Sequence, residues 1–495
     1  MSAAESSPNR QVIPRWRSLE ATAHHGELGS AGADRGARAL QPTVGLHERA
    51  REFREQRSLS FAADLLAASL VLGPTAETTE AAQLIVAAPA ASAMLRRAAT
   101  WALERRDRVP DETDSPETDG QRVRALRQGL RNNPRNALRW AELSRHHINQ
   151  GHERKAQMAM RIAINIAPYD RYVLRSSVRL WTHLKDPEQA VRSLTHARDL
   201  VRRDPWLLAS EIAATATAEK QSRNIKQGRM VAEDAVHSPF ALSELASALA
   251  TIELQAGGVK KARRLFRSAM INPNENSVAQ AEWASSRLAG DLGLRDDQIE
   301  RSAEARARRF AEQDQLDPAL AAGWEWLTDQ PFSTEPATFG SYHASMCGSF
   351  DRAIEFAEAG LQPNPGNALL LNNLAFSQAN LGRLDAAAAT LARVRPSEEG
   401  WTRPTLTATR GFLAFRCGEF EKGRDLYRKA IDTMPDSEHR LRATLMLASE
   451  EARVGGPGGQ QVAELLAAIS RLENPQLKIW AKHLARRTAG RRGRA

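Results

Sequence analysis

Two stretches of this chain repeat each other with a 34-residue period, and that period limits the fold more than any other feature. From Ala137 the chain places Trp140, Leu143, Gly151, Ala156, Ala163 and Pro168. From Ala368 it places Leu371, Leu374, Gly382 and Ala387 at the same offsets, with Leu391 following. Apolar residues three and four apart mark one helix face on each side of the glycine, so each period reads as helix, turn, helix. One such pair cannot bury its own apolar face. It must stack on neighbours, which builds a core along one axis and leaves a concave surface. The expected fold is all-α, an α-solenoid of stacked antiparallel helix hairpins.

Composition agrees with that expectation. Of 495 residues 42% are hydrophobic and only 5% aromatic, and alanine is abundant, as closely stacked helices need. No sustained period-two run of β-branched residues suggests strands. The formal net charge of +10 is uneven: Lys478, Lys482, Arg486, Arg487, Arg491, Arg492 and Arg494 crowd the end of the chain with no acid among them. The two cysteines, Cys347 and Cys417, lie two repeats apart, too far for a disulfide, and read as reduced thiols. No apolar h-region opens the chain and no apolar run reaches spanning length, so a cytoplasmic protein is expected.

Along the chain, residues 1–45 read as extended or disordered. Within them Val12, Ile13, Pro14, Arg15, Trp16 and Arg17 form an apolar and aromatic island. It can dock as a linear peptide or lie on the chain's own first helices. Residues 46–107 read as helical capping hairpins broken at Pro74 and Pro89, and 108–121 as an acidic linker. A first array covers 122–313, with repeats at Ala137, Arg171 and Ser243. In the second of these Lys185 replaces the turn glycine, and Asp186-Pro187 is expected to make the turn. Residues 314–333, with Trp324, Trp326 and DQPFSTEP, lose the register and read as a junction. A second array covers 334–488, repeating from Thr334, Ala368 and Pro404 and ending in capping helices. A basic tail, 489–495, follows.

The repeats resemble the tetratricopeptide family over roughly 300 residues. The resemblance implies a right-handed superhelix whose first helices line a groove that, in most members, holds a protein or peptide. Carried over by offset from each repeat start, the inner surface of the second array is expected to present Tyr342, Asn372, Asn373, Phe376, Asn380, Phe412 and Arg416, with Thr338, Met346 and Phe415. Amides can hold an extended backbone as donor and acceptor, and aromatics and Met supply apolar contact. The same offsets on the first array give Arg145, Tyr172, Arg175 and Arg179, with Leu138, Asn149 and His183. That surface reads as a basic groove suited to an acidic peptide or a nucleic-acid backbone. The two-carboxylate clamp of some members is incomplete, because Thr338, Leu369, Thr405 and Ala408 stand where its other groups would be.

No catalytic signature accompanies these repeats: no phosphate loop, no HExxH and no G-x-S-x-G elbow. Adjacent His146 and His147 point about 100° apart on a helix. His343 and Cys347 share a helix face, but structural zinc takes four ligands, and the pair reads as a solvated histidine beside a half-buried thiol. No enzyme activity, cofactor or metal is expected. The expected function is a protein–protein interaction scaffold or adaptor that binds an extended peptide segment of another protein. The alternative is an RNA-associated solenoid using the basic first array and the Arg-rich tail, although no regularly spaced aromatics interleave those charges to stack bases. A sensor subunit of a multi-protein regulatory system is a third possibility. No membrane partner is expected.

Overall fold

A computed structural model describes residues 10–24, 27, 42–72, 75–106, 118–234, 236–285, 287–288, 291–395, 402–434, 437–455, 458–471 and 475–492. Among these residues the regular structure is helical and no strand occurs. No described helix is long and apolar enough to cross a membrane. The chain divides into two compact units, one of residues Ser30–Gln121 and one of Met1–Gly29 with Arg122–Ala495. Most of the acidic linker (108–117), the stretch 396–401 and the side chains from Arg486 onward lie outside the described residues.

At the N-terminus an extended segment leads into α1 (Leu19–His24). The smaller unit then forms α2 (Pro42–Glu55), α3 (Leu59–Leu72), α4 (Ala76–Ala87) and α5 (Ala93–Arg106). They close around Phe53, Leu65, Leu66 and Ile85, each fully buried. The buried Ser69 and Thr78 hydroxyls satisfy one another at 2.7 Å.

The larger unit starts with α6 (Asp119–Asn132) and continues as helix pairs. These are α7 (Ala137–Asn149) with α8 (Glu153–Ile166), then α9 (Arg171–His183) with α10 (Pro187–Leu194) and the short α11 (Arg198–Arg203). Next come α12 (Pro205–Thr217) with α13 (Ile225–Ala232), and α14 (Pro239–Gln255) with α15 (Val259–Ala269). They are followed by α16 (Glu275–Ser285) with α17 (Asp296–Glu300), and α18 (Ala303–Glu312) with α19 (Leu316–Asp329). The series ends with α20 (Thr334–Cys347) and α21 (Phe350–Leu361), α22 (Ala368–Asn380) and α23 (Leu384–Ala392), α24 (Arg403–Arg416) and α25 (Phe420–Thr433), and α26 (Ser437–Arg453), α27 (Gly458–Arg471) and α28 (Pro475–Arg492).

One backbone device sets the register. Each pair turns through a residue with positive φ: Gly151, Lys185, Glu219, Gly257, Gly293, Asp314, Gly348, Gly382, Gly418 and Gly455. Their spacing stays at 34 to 38 residues except between Gly293 and Asp314, where the phase resets. The left-handed turn is cheapest for glycine, yet Lys185, Glu219 and Asp314 adopt it at φ 60°, 56° and 59°. Lys185 therefore makes its own turn. Asp186 instead caps α10, its carboxylate accepting from the Gln189 N–H at 2.9 Å with Pro187 opening the helix. Residues 314–333, read from the sequence as a junction, hold α19, which pairs with α18 as the other second helices pair with their first.

Small residues let the pairs close. Ala156, Ala163, Ala190, Ala262, Ala353, Ala387 and Ala430 have no exposed surface. The Ala156 carbonyl accepts from the Ser144 hydroxyl at 2.7 Å, which ties α8 to α7. Both cysteines are free thiols, Cys347 half-buried and Cys417 exposed.

Candidate peptide grooves

The first helices of successive pairs, α9, α14, α16 and α18, share a surface that is already occupied. Residues 10–17 lie across it in extended form. Val12, Pro14 and Trp16 are buried while Gln11, Ile13 and Arg15 between them are partly open, the alternation an extended chain imposes. Val12 joins Leu208, Ile212 and Leu249 in one apolar cluster. Trp16 joins Ala141, Ile148 and Val173 in another, its ring edge-on to Phe332 at 5.8 Å. Burying one such side chain is worth roughly 1.5–3 kcal/mol.

The backbone of this segment is gripped by amides one helical turn apart on α16. Asn276 donates to the Ile13 carbonyl at 3.0 Å, and Gln280 donates to the Arg10 carbonyl at 3.2 Å. Its cations meet carboxylates from separate helices. Arg10 and Arg15 pair with Glu304, the latter at 3.1 Å. Arg15 and Arg17 both reach Asp329, at 3.0 and 2.6 Å, and Arg17 also reaches Glu275. Burial pushes Glu304 up, but Arg10, Arg308 and Arg15 outweigh it and hold the carboxyl at about 2. Asp329 is likewise lowered against burial, by Arg15 and Arg17.

This arrangement reverses the sequence reading of a basic first groove. Arg145 and Arg175 are buried and paired within the chain, Arg145 with Glu142 at 3.2 Å and Arg175 with Glu244 at 3.0 Å. The Arg175 guanidinium also stacks over Trp206 and that of Arg179 over Phe332. The Tyr172 hydroxyl lies 3.0 Å from the Arg17 carbonyl and beside Glu142. Burial, then Arg179 and Lys185, lowers His183 to about 3, so its ring packs neutral against Phe332. Glu275, Glu304 and Asp329 set the charge that the segment meets, and the sequence reading missed them. Their signal was the charge complement of Arg10, Arg15 and Arg17.

On the second array the structure gathers five of the seven expected residues. Tyr342, Asn372, Asn373, Phe376 and Phe412 line one cavity of about 160 Å³ with Met346, Arg442 and Trp480. The Phe376 and Phe412 rings lie 5.0 Å apart. Arg442 donates to the Tyr342 hydroxyl at 3.0 Å and sits over the Trp480 ring. Trp480 comes from α28, whose Lys482 and His483 pair with Asp314, His483 at 2.8 Å. The Asn373 amide is used internally: it donates to Ser341 at 2.9 Å and accepts from Asn372 at 3.4 Å. Asn372 Oδ1 is buried with no hydrogen-bond partner among the described residues, and leaving such an acceptor unpaired costs about 1–3 kcal/mol.

Asn380 and Arg416 lie outside the cavity. Asn380 donates to the Phe376 carbonyl at 2.9 Å, and Arg416 pairs with Glu450 at 2.8 Å. His343, read as solvated, is buried against Phe339 at 4.3 Å. The offsets found the residues on the first helices. They could not find Arg442 and Trp480, which arrive from later helices.

Residues 348–403 match the family model for the tetratricopeptide repeat. No curated protein matches the chain. Among solved structures, the Cut9–Hcn1 hetero-tetramer of the APC/C is similar at 12% identity and a TM-score of 0.36, over 91% of this chain and 93% of that one. A monomeric mutant of IFIT1 with Gppp-AAAA is similar at 14% identity and a TM-score of 0.34, over 96% of this chain and 98% of that one.

Proposed function

We propose that this chain, in which residues 348–403 match the tetratricopeptide-repeat model, is a tetratricopeptide-type, non-catalytic scaffold whose second array binds an extended peptide segment of another protein. The observation that carries this reading is the cavity shared by Tyr342, Asn372, Phe376 and Phe412. It combines an apolar recess of about 160 Å³ with a buried acceptor, Asn372 Oδ1, that has no partner among the described residues. A peptide in the groove supplies what both lack. Its apolar side chain fills the recess between the phenylalanines, and its backbone N–H satisfies Asn372. Asn373 holds Asn372 and Ser341 in place rather than touching the peptide. The first array supports the mode of binding, since Asn276 and Gln280 hold an extended segment through its backbone in the same molecule. Arg145 and Arg175 of that array are already matched to internal carboxylates, which weighs against a nucleic-acid backbone as its ligand.

The test selects binders to the full chain from a library of extended peptides and measures them by calorimetry. Asn372→Ala and Phe376→Ala are each expected to weaken binding about tenfold or more, or about 1.4 kcal/mol, with the helical signal intact. Unchanged affinity in both folded variants, or a library that yields no binder, overturns the proposal.

A further inference from the structure

The first groove supports an inference independent of the second. We propose that it is itself a peptide site, for an extended arginine-rich segment of a partner protein with apolar residues at alternate positions. Residues 10–17 are then a cis occupant that such a segment displaces.

Three features of the groove carry this. The grip of Asn276 and Gln280 on the Ile13 and Arg10 carbonyls is indifferent to the occupant's side chains, because every peptide offers those acceptors. Selectivity comes from charge: Glu275, Glu304 and Asp329 converge on three guanidinium groups. A neutral or acidic occupant would strip the half-buried Glu275 and Asp329 of these guanidinium partners and leave the buried Glu304 with Arg308 alone, which disfavours it. The partner must therefore be basic, the opposite of what the arginines of the first array suggest from sequence.

The third feature is the tether. The segment meets Gln280, Glu304 and Asp329 across separations of 270 to 314 residues, and Ser30–Gln121 forms a separate unit between the two in sequence. Occupancy is an intramolecular equilibrium over a long connection. Its effective concentration falls with connection length and is bounded at the millimolar scale of short linkers, so a segment from another protein can compete. A cavity of about 350 Å³ runs beside the occupant, bordered by Arg10, Ile13, Arg15, Arg179 and Glu335. A competing chain can enter there before the first one leaves.

The probe is a labelled synthetic peptide of residues 8–20, PNRQVIPRWRSLE, added to the full chain. Trp16→Ala combined with Arg17→Ala should weaken the cis occupant. The folded double variant is expected to bind the peptide at least tenfold tighter than the unmodified chain does. Adding Glu304→Gln and Asp329→Asn should abolish that gain, and a peptide with its three arginines changed to glutamate should not bind. No binding to a folded double variant overturns the proposal. So does preferential binding of an RNA oligonucleotide, or a doubling of mass without peptide, which would assign the groove to a second copy. Should the double variant unfold, hydrogen exchange on the unmodified chain decides. Residues 10–17 should exchange faster than α9 and α14, and faster again with excess peptide. Protection equal to those helices and unmoved by peptide would make the segment a fixed wall of the groove.

Discussion

Ala387 has no exposed surface and shares a core cluster with Leu371, Leu391 and Phe412. Three added heavy atoms at its position have nowhere to go without moving a helix. At Gly340 even a Cβ would lie 2.2 Å from the Phe356 ring. Ala387→Leu is therefore expected to cost about 1–3 kcal/mol by overpacking, read as a lower Tm in a thermal melt; an unchanged Tm would show the contact to be slack. These positions were legible because the repeat places a small residue at a fixed offset from its turn. The turn itself was legible only where glycine makes it. Lys185, Glu219 and Asp314 take the left-handed conformation without the residue type that announces it, so the pair α18 and α19 escaped the sequence reading. Nothing local to Glu304 or Asp329 marks them as partners of arginines some 300 residues earlier in the chain.

The N-terminal segment behaves as an element without secondary structure of its own, held by ion pairs that depend on pH. Glu304 and Asp329 titrate below their ordinary values when folded. A carboxylate depressed in this way contributes stability that is complete above its unfolded value and is lost as pH falls through its folded one. For Glu304 that window runs from about 4.5 down to about 2. Glu27, raised by burial beside Arg175 and Arg17, acts in the opposite sense at its end of the segment. The expected outcome is that Glu304→Gln lowers Tm near neutral pH and that its gap from the unmodified chain narrows as pH falls from about 4.5 towards about 2. A gap independent of pH would mean that the ion pairs do not hold the segment. The sequence showed this element as an apolar island with two possible places to lie. Its alternation of buried and open residues was present in V-I-P-R-W-R, but the surface that reads it is assembled from helices far apart in sequence.

In a stack of helix pairs each repeat contacts only its neighbours, so stability is close to a sum of local terms and distant repeats can open separately. Residues 10–17 break that rule in the larger unit. The segment contacts Tyr172 on α9, Asn276 and Gln280 on α16, Glu304 on α18 and Asp329 on α19. It therefore bonds directly to pairs that do not touch one another in sequence order. Phe332, between α19 and α20, adds a second tie, because its ring meets Trp16 and His183 together and its carbonyl accepts from Asn364 at 3.0 Å. These contacts should make the larger unit unfold more cooperatively than nearest-neighbour stacking allows. Trp16→Ala, expected to cost about 3–5 kcal/mol as a large-to-small core change, removes the tie. Native-state hydrogen exchange is expected to give matching opening free energies for α7–α9 and α18–α20 in the unmodified chain and to show them moving apart in Trp16→Ala. Ala387→Leu, a local defect of comparable order, should lower α22 and its neighbours and leave α7–α9 where they were. If Trp16→Ala lowers all these helices equally, the segment adds stability without coupling the repeats, and neighbour contacts alone account for the unit.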